Sequence, residues 1–286
     1  MKVELIADYE CITGEGPLWH SDEQRLYWVD IPRGRLFRYE PASDRHEPCL
    51  EGAAIGGFTV QADGALLLFM EGGVVREWRE GTLTTVIPGI PDEADTRFND
   101  VIADPAGRVF CGTMPAARRL GRLYRLDPDG TLTILLEGIG CSNGMGFSPD
   151  ETLLYYTDSP TNEISVFDYD RATGRIENRR TFVHYDGEGS PDGLTVDAEG
   201  FVWSAKWDGG RVVRYAPDGR EERRIAVPAR KTTSLAFGGA DYGDLYITTA
   251  GGNERDTDGR HAGALFRVRP EVRGVPEFRS RIAPPK

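Results

Sequence analysis

The 286 residues carry 35 glycines and 18 prolines spread along the chain, a punctuation that opposes a helical bundle and suits many short strands joined by tight turns, in one domain over residues 1–286. No run of about 18 apolar residues exists, which excludes a membrane-spanning helix, and the acidic start "MKVELIADYE" lacks the apolar stretch of an export signal. Asp and Glu outnumber Lys and Arg by 46 to 34, a net charge of −12, so nucleic acid and anionic membranes are poor partners.

In chain order, the first predicted element is a lone strand, "KVELIAD". From Glu15 comes "EGPLWHSDEQRLYWVD": a polar residue, alternating apolar positions, a turn, then a second apolar strand. The phrase returns as "GGFTVQADGALLLFM" with Gly56 in the leading register and as "NDVIADPAGRVFCGT" from Asn99. It recurs as "NGMGFSPDETLLYYTD" from Asn143, as "DGLTVDAEGFVWSAK" from Asp192 and, more loosely, as "SLAFGGADYGDLYITT" from Ser234. The leading positions are 41, 43, 44, 49 and 42 residues apart. Each copy runs on into two further strand-like stretches, such as "GRVVRYAP" and "EERRIAVP" after Asp192. Four short antiparallel strands at this period are propeller blades, so six copies predict an all-β, six-bladed β-propeller. The sixth copy lacks an outer strand; "KVELIAD" supplies one and closes the ring without a free edge.

In a propeller the first strand of every blade lines the central channel, so residues in one register at the strand heads converge. That ring reads Glu15, Gly56, Asn99, Asn143, Asp192 and Ser234. Any one Asp or Asn before Gly reads as a turn former; the shared register is what suggests a site. Two carboxylates converging in a low dielectric repel. A divalent cation matches their charge, and the two Asn carbonyls complete an all-oxygen set that suits Ca²⁺, Mg²⁺ or Mn²⁺ better than Zn²⁺. His20, His46, His184 and His261 fall outside the ring. Cys11, Cys49, Cys111 and Cys141 show no CxxC spacing and read as reduced thiols of a cytoplasmic protein.

The phrases "GEGPLW", "RFND…DPAGR…GTM", "SNGMGFSPD…YYTDS" and "PDGLTVDAEGFVW", continued by "GGRVVRY", "KTTSLAFGG" and "LYITTA", resemble the senescence marker protein/gluconolactonase/luciferin-regenerating family, which includes regucalcin. The resemblance covers nearly the whole chain. It implies a propeller with one divalent ion in its channel, Ca²⁺ foremost with Mg²⁺, Mn²⁺ or Zn²⁺ open, that hydrolyses a sugar lactone. It also implies metal ligands at Glu15, Asn143 and Asp192, Asp192 as the catalytic residue, and substrate contacts at Arg97 and Asn99. One departure stands out: "GTMPAARRLG" puts Ala117 where regucalcin has a substrate-binding glutamate.

A channel-bound cation polarises a lactone carbonyl and acidifies water, leaving Asp192 to act as general base. Arg97, two residues before Asn99, faces the same side of an extended segment and offers several donors to sugar hydroxyls. Loops 114–121, 159–163, 206–210 and 250–263 return to the same face, bringing Trp207 as a stacking surface or core residue, and Arg118 and Arg119 as attractants for an anion or plain surface. A phosphotriesterase of the fluorophosphatase kind on the same metal site, and a non-enzymatic calcium-binding propeller, are the alternatives. The oligomeric state is left open.

Overall fold

Six four-stranded antiparallel sheets follow one another around a central channel in the computed structural model, which describes residues 1–283. The last three positions of the expected 1–286 propeller lie outside the described residues. The inner strands are Gly14–His20, Ile55–Val60, Phe98–Ala103, Ser142–Phe147, Ser190–Val196 and Thr232–Gly238, one for each predicted copy. Glu4–Asp8 is the outermost strand of blade six, antiparallel to Ala264–Val268 with Leu5 opposite Phe266. The lone N-terminal strand therefore closes the ring as expected. No helix among the described residues is long and apolar enough to cross a membrane.

Burial follows strand order. Leu66–Met70, "LLLFM", is a second strand buried on both faces, whereas the outer strand Arg45–Glu51 is mostly exposed or half-buried. Between each pair of neighbouring blades lies an apolar cluster. Tyr27, Phe58 and Leu68 meet between blades one and two, Trp203, Phe237 and Phe266 between five and six. Ala7, Trp19, Trp28 and Tyr246 seal blade six to blade one. Each such side chain contributes roughly 1.5–3 kcal/mol on burial, so the clusters hold the ring shut and fix where its inner strands point.

The repeated Asp-Gly turn has a local cause. Asp104 Oδ1 accepts the N–H groups of Ala106 at 2.8 Å and Arg108 at 2.9 Å; Asp197 Oδ1 does the same for Glu199 and Phe201 at 3.0 Å. Gly107 and Gly200 follow at φ +88° and +81°, where a side chain is strained. At the other end of each inner strand the pairing register breaks. The irregularities fall at Glu15/Leu18, Ile55/Gly57, Phe98/Val101, Ser142/Met145, Pro191/Leu194 and Thr232/Leu235. Every predicted ring position sits at such a bulge, a device that bends the strand and re-aims a side chain.

One feature has no counterpart in the repeat. After blade six the chain straps across the far face of the ring. Ala198 N–H donates to the Arg273 carbonyl (2.9 Å), Ser280 N–H to Val60 (2.9 Å), Arg281 N–H to Gly107 (2.8 Å) and Ala283 N–H to Pro128 (2.9 Å). Glu277 and Phe278 thereby line the lower channel beneath the inner strands.

Candidate active site

A glycine follows four of the six ring positions: Gly57, Gly144 and Gly193 are required by close approach of neighbouring inner strands, Gly16 by its φ of +54°. A Cβ on Gly144 would meet the Leu194 nitrogen at 2.3 Å, and one on Gly193 would meet Ser234 Oγ at 2.3 Å. Bulge and glycine together turn the preceding side chain inward. Glu15, Asn99, Asn143 and Asp192, from four different blades, thus line one cavity of about 420 Å³, within the range of small-molecule pockets (roughly 300–1,000 Å³).

Arg97 lines the same cavity with Ser159 and Asn162, while Ile31, Met114, Cys141, Pro160 and Trp207 form an apolar wall. Trp207 is therefore a cavity residue. Two ring members fall elsewhere. Ser234 faces the lower channel, and at Gly56 a side chain would run into the Phe98 carbonyl at 2.0 Å.

The polar groups are joined in one direction. Arg97 Nη1 donates to Asn99 Oδ1 at 2.6 Å and to the Phe98 carbonyl at 2.9 Å. Asn99 Nδ2 donates to Asn143 Oδ1 at 2.5 Å and to the Ser142 carbonyl at 2.7 Å. Asn143 Nδ2 donates to Ser159 Oγ at 2.7 Å, and Ser159 Oγ to the Pro191 carbonyl at 2.6 Å. This relay sets the orientation of both amides and leaves each Oδ1 a second lone pair. It ends on the residue before Asp192.

The carboxylates are under electrostatic stress. Burial, then the charges of Asp192 and Asp100, push Glu15 well above the usual carboxylate range; burial, then Asp100, does the same to Asp192. Among the described residues Glu15 receives only the N–H of its neighbour Gly16, at 3.1 Å. Arg97 and Lys206 act on the pair as charges at a distance. Burial lowers Arg97 from its ordinary value, opposed by the thiol of Cys141 and by Glu15 and Asp100.

Three contributors were not picked out from the sequence. Asp100 occupies the register that holds Gly16, Gly57, Gly144 and Gly193 in other copies, and its side chain enters the channel below the ring. The broken glycine pattern was the available signal. Asp30 and Asp158 end the second strands of blades one and four. Asp30 Oδ1 accepts the Thr13 N–H at 3.0 Å, and Asp158 accepts those of Cys141 at 2.9 Å and Gly140 at 3.2 Å. They pin the segments that enter Glu15 and Asn143, and the matching ends of "LYWVD" and "LYYTD" announce them.

One loop expectation needs correcting. Loop 250–263 does not line the cavity, because its charges are spent elsewhere: Arg255 pairs with Asp8 and Glu10, and Asp258 with Lys231. Arg118 and Arg119 do not line the cavity either, in keeping with the plain-surface alternative. Arg119 pairs with the buried Glu93 and donates to the Asp92 carbonyl at 2.6 Å, which ties the middle of loop 114–121 to that segment while Met114 reaches the cavity. Arg118 and Ala117 are exposed.

Comparison with known proteins gives a consistent result. The family described as "SMP-30/Gluconolactonase/LRE-like region" matches residues 13–251. A pentonolactonase of Haloferax volcanii is 48% identical over 290 residues, covering 99% of each chain. Regucalcin of Gallus gallus is 35% identical, covering 97% of this chain and 98% of its own. Among solved structures, a luciferin-regenerating enzyme superposes with a TM-score of 0.90 at 27% identity, covering 98% of this chain and 99% of that one.

Proposed function

The chain belongs to the SMP-30/gluconolactonase/LRE-like family, and from that premise we propose that it hydrolyses a sugar lactone with a divalent cation held by Glu15, Asn143 and Asp192. The observation that carries this reading is the pair of buried carboxylates, each 4% exposed, that share a cavity with two oriented amides. Like charges so placed are relieved by a proton or by a cation, and two amide oxygens turned to the same cavity favour the cation. Among the described residues no cluster of three or more His, Cys, Asp and Glu side chains gathers to hold a metal; the set invoked here has two carboxylates and neutral carbonyls. Its oxygens suit a hard ion, Ca²⁺ first.

When bound, such an ion would polarise the lactone carbonyl and make a water more acidic. The chain's own groups do the rest. Asp192 takes the proton of the attacking water as general base. Arg97 and Asn99 hold the lactone through hydroxyls or the ring oxygen, and the relay keeps Asn99 and Asn143 from rotating. Trp207 and Met114 exclude water from the apolar side. Without a carboxylate at Ala117, the hydroxyls far from the carbonyl meet fewer partners, so a short five-carbon aldonolactone is the first substrate to try; the pentonolactonase relative supports the same choice. The four free thiols suit a reducing compartment, and the cytoplasm is part of this reading.

The test is a panel of five- and six-membered aldonolactones assayed with Ca²⁺, Mg²⁺, Mn²⁺ and Zn²⁺ after chelation, with a phosphotriester alongside. Lactone turnover that vanishes on chelation and returns with one ion is the expected result. Turnover of the phosphotriester alone, or ion binding with no turnover, would overturn it.

A further inference from the structure

Side chains alternate along Val202–Trp207. Trp203 and Ala205 join the core shared with blade six, and Val202 the core shared with blade four. By that alternation Ser204 and Lys206 face blade four, an apolar setting for an ammonium. Lys206 is fully buried, at 0% exposure. Its Nζ makes one hydrogen bond, to Ser204 Oγ at 3.0 Å, and lies 4.2 Å from the ring centre of Tyr185 and 5.1 Å from that of Tyr215. The aromatic faces offset part of its desolvation, yet a Leu or Met would fill the space without that cost. The charge is what needs a reason.

Its position supplies one. Lys206 pairs across the sheet with Pro191, the residue before Asp192, and its neighbour Trp207 lines the cavity. Burial pushes the Lys206 ammonium down to about 7, while Glu221 and Asp192 hold it up and Arg211 opposes them. Glu15, Asp100, Asp192 and Glu221 are the acidic groups of this neighbourhood and Arg97, Lys206 and Arg211 the basic ones; of the basic ones Lys206 is the fully buried one, on the strand paired with the residue before Asp192. A divalent ion at the head would meet its charge there.

We propose that Lys206 is a buried counter-charge behind Asp192 that weakens the site's hold on its divalent ion and so keeps the ion exchangeable. This rests on the ion reading above. It acts through Asp192 and touches no substrate. Removing one positive charge from a poorly screened neighbourhood should tighten ion binding on the order of tenfold.

The experiment is calorimetric titration of the chelated wild-type protein and Lys206→Met with Ca²⁺ and Mn²⁺. Met keeps the length and apolar stem, so the variant should fold and bind the ion about tenfold more tightly. A lysine that merely fills space would change the melting temperature and leave the dissociation constant alone. Tyr185→Leu, which withdraws one aromatic face from the ammonium, should move affinity the same way by a smaller factor, and it decides the matter if Lys206→Met does not fold. Unchanged or weaker ion binding in a folded variant would overturn the role of Lys206 and leave the ion reading intact. Failure of the wild-type protein to take up either ion would overturn both.

Discussion

The two ends of the channel bury carboxylates in different company. At the head, Glu15 and Asp192 stand together above an open cavity, beside amides locked by the Arg97–Asn99–Asn143–Ser159 relay. At the foot, Glu277 belongs to the strap and lines the lower channel that Asp100 also enters, raised by burial. At the head the stress is shared by two carboxyl groups beside a set of oriented amides; at the foot a single carboxyl group bears it. Function and stability should accordingly separate along the channel axis.

The strongest break of that contrast is Asp192→Ala. Loss of general base and ligand together should lower lactone hydrolysis by at least about 10³-fold. The melting temperature of the ion-free protein should hold or rise, since a strained buried carboxylate is removed. Steady-state kinetics and a thermal melt on one sample check both halves; an active variant would end the catalytic assignment.

A sharper probe leaves every carboxylate in place. Ser159→Ala removes the acceptor for Asn143 Nδ2 and the donor to the Pro191 carbonyl. One lost hydrogen bond of this kind is about 1 kcal/mol, so a fall of roughly fivefold in kcat/KM is expected, with little change in melting temperature. An unaltered rate would mean that the amides keep their orientation without the relay.

The same contrast explains what the sequence made legible. The head is written into the repeat: a polar residue at five of the six register positions, a following glycine at four of them and the recurring turn suffice to place Glu15, Asn99, Asn143 and Asp192 on one face. Ser234 shares the register yet falls below the cavity, a difference in depth that one-dimensional spacing does not encode. Asp100 was hidden because an Asp beside an Asn reads as a loop pair until its alignment with Gly144 and Gly193 is noticed. Loop 250–263 looked like a mouth because it is long and polar, but its charges fold back onto Asp8, Glu10 and Lys231. The foot was illegible for another reason. The strap is not a repeat, has no strand period of its own, and is held by backbone hydrogen bonds to turns of distant blades.

The smallest expected effect on turnover belongs to that foot. Burial raises Glu277 from an ordinary 4.5 to about 7. At pH 8 its carboxylate is charged in both folded and unfolded chains, and the folded state bears the desolvation. As pH falls through about 7 the folded chain takes up a proton that the unfolded chain binds only near 4.5, so this group adds stability toward acid and loses it toward alkali. Glu277→Gln freezes the neutral form. It should raise the melting temperature by roughly 7 °C at pH 8, do almost nothing at pH 5, and leave ion binding and lactone turnover at the head unchanged. A variant that gains no stability at pH 8, or that alters turnover, would show that the two ends of the channel are coupled.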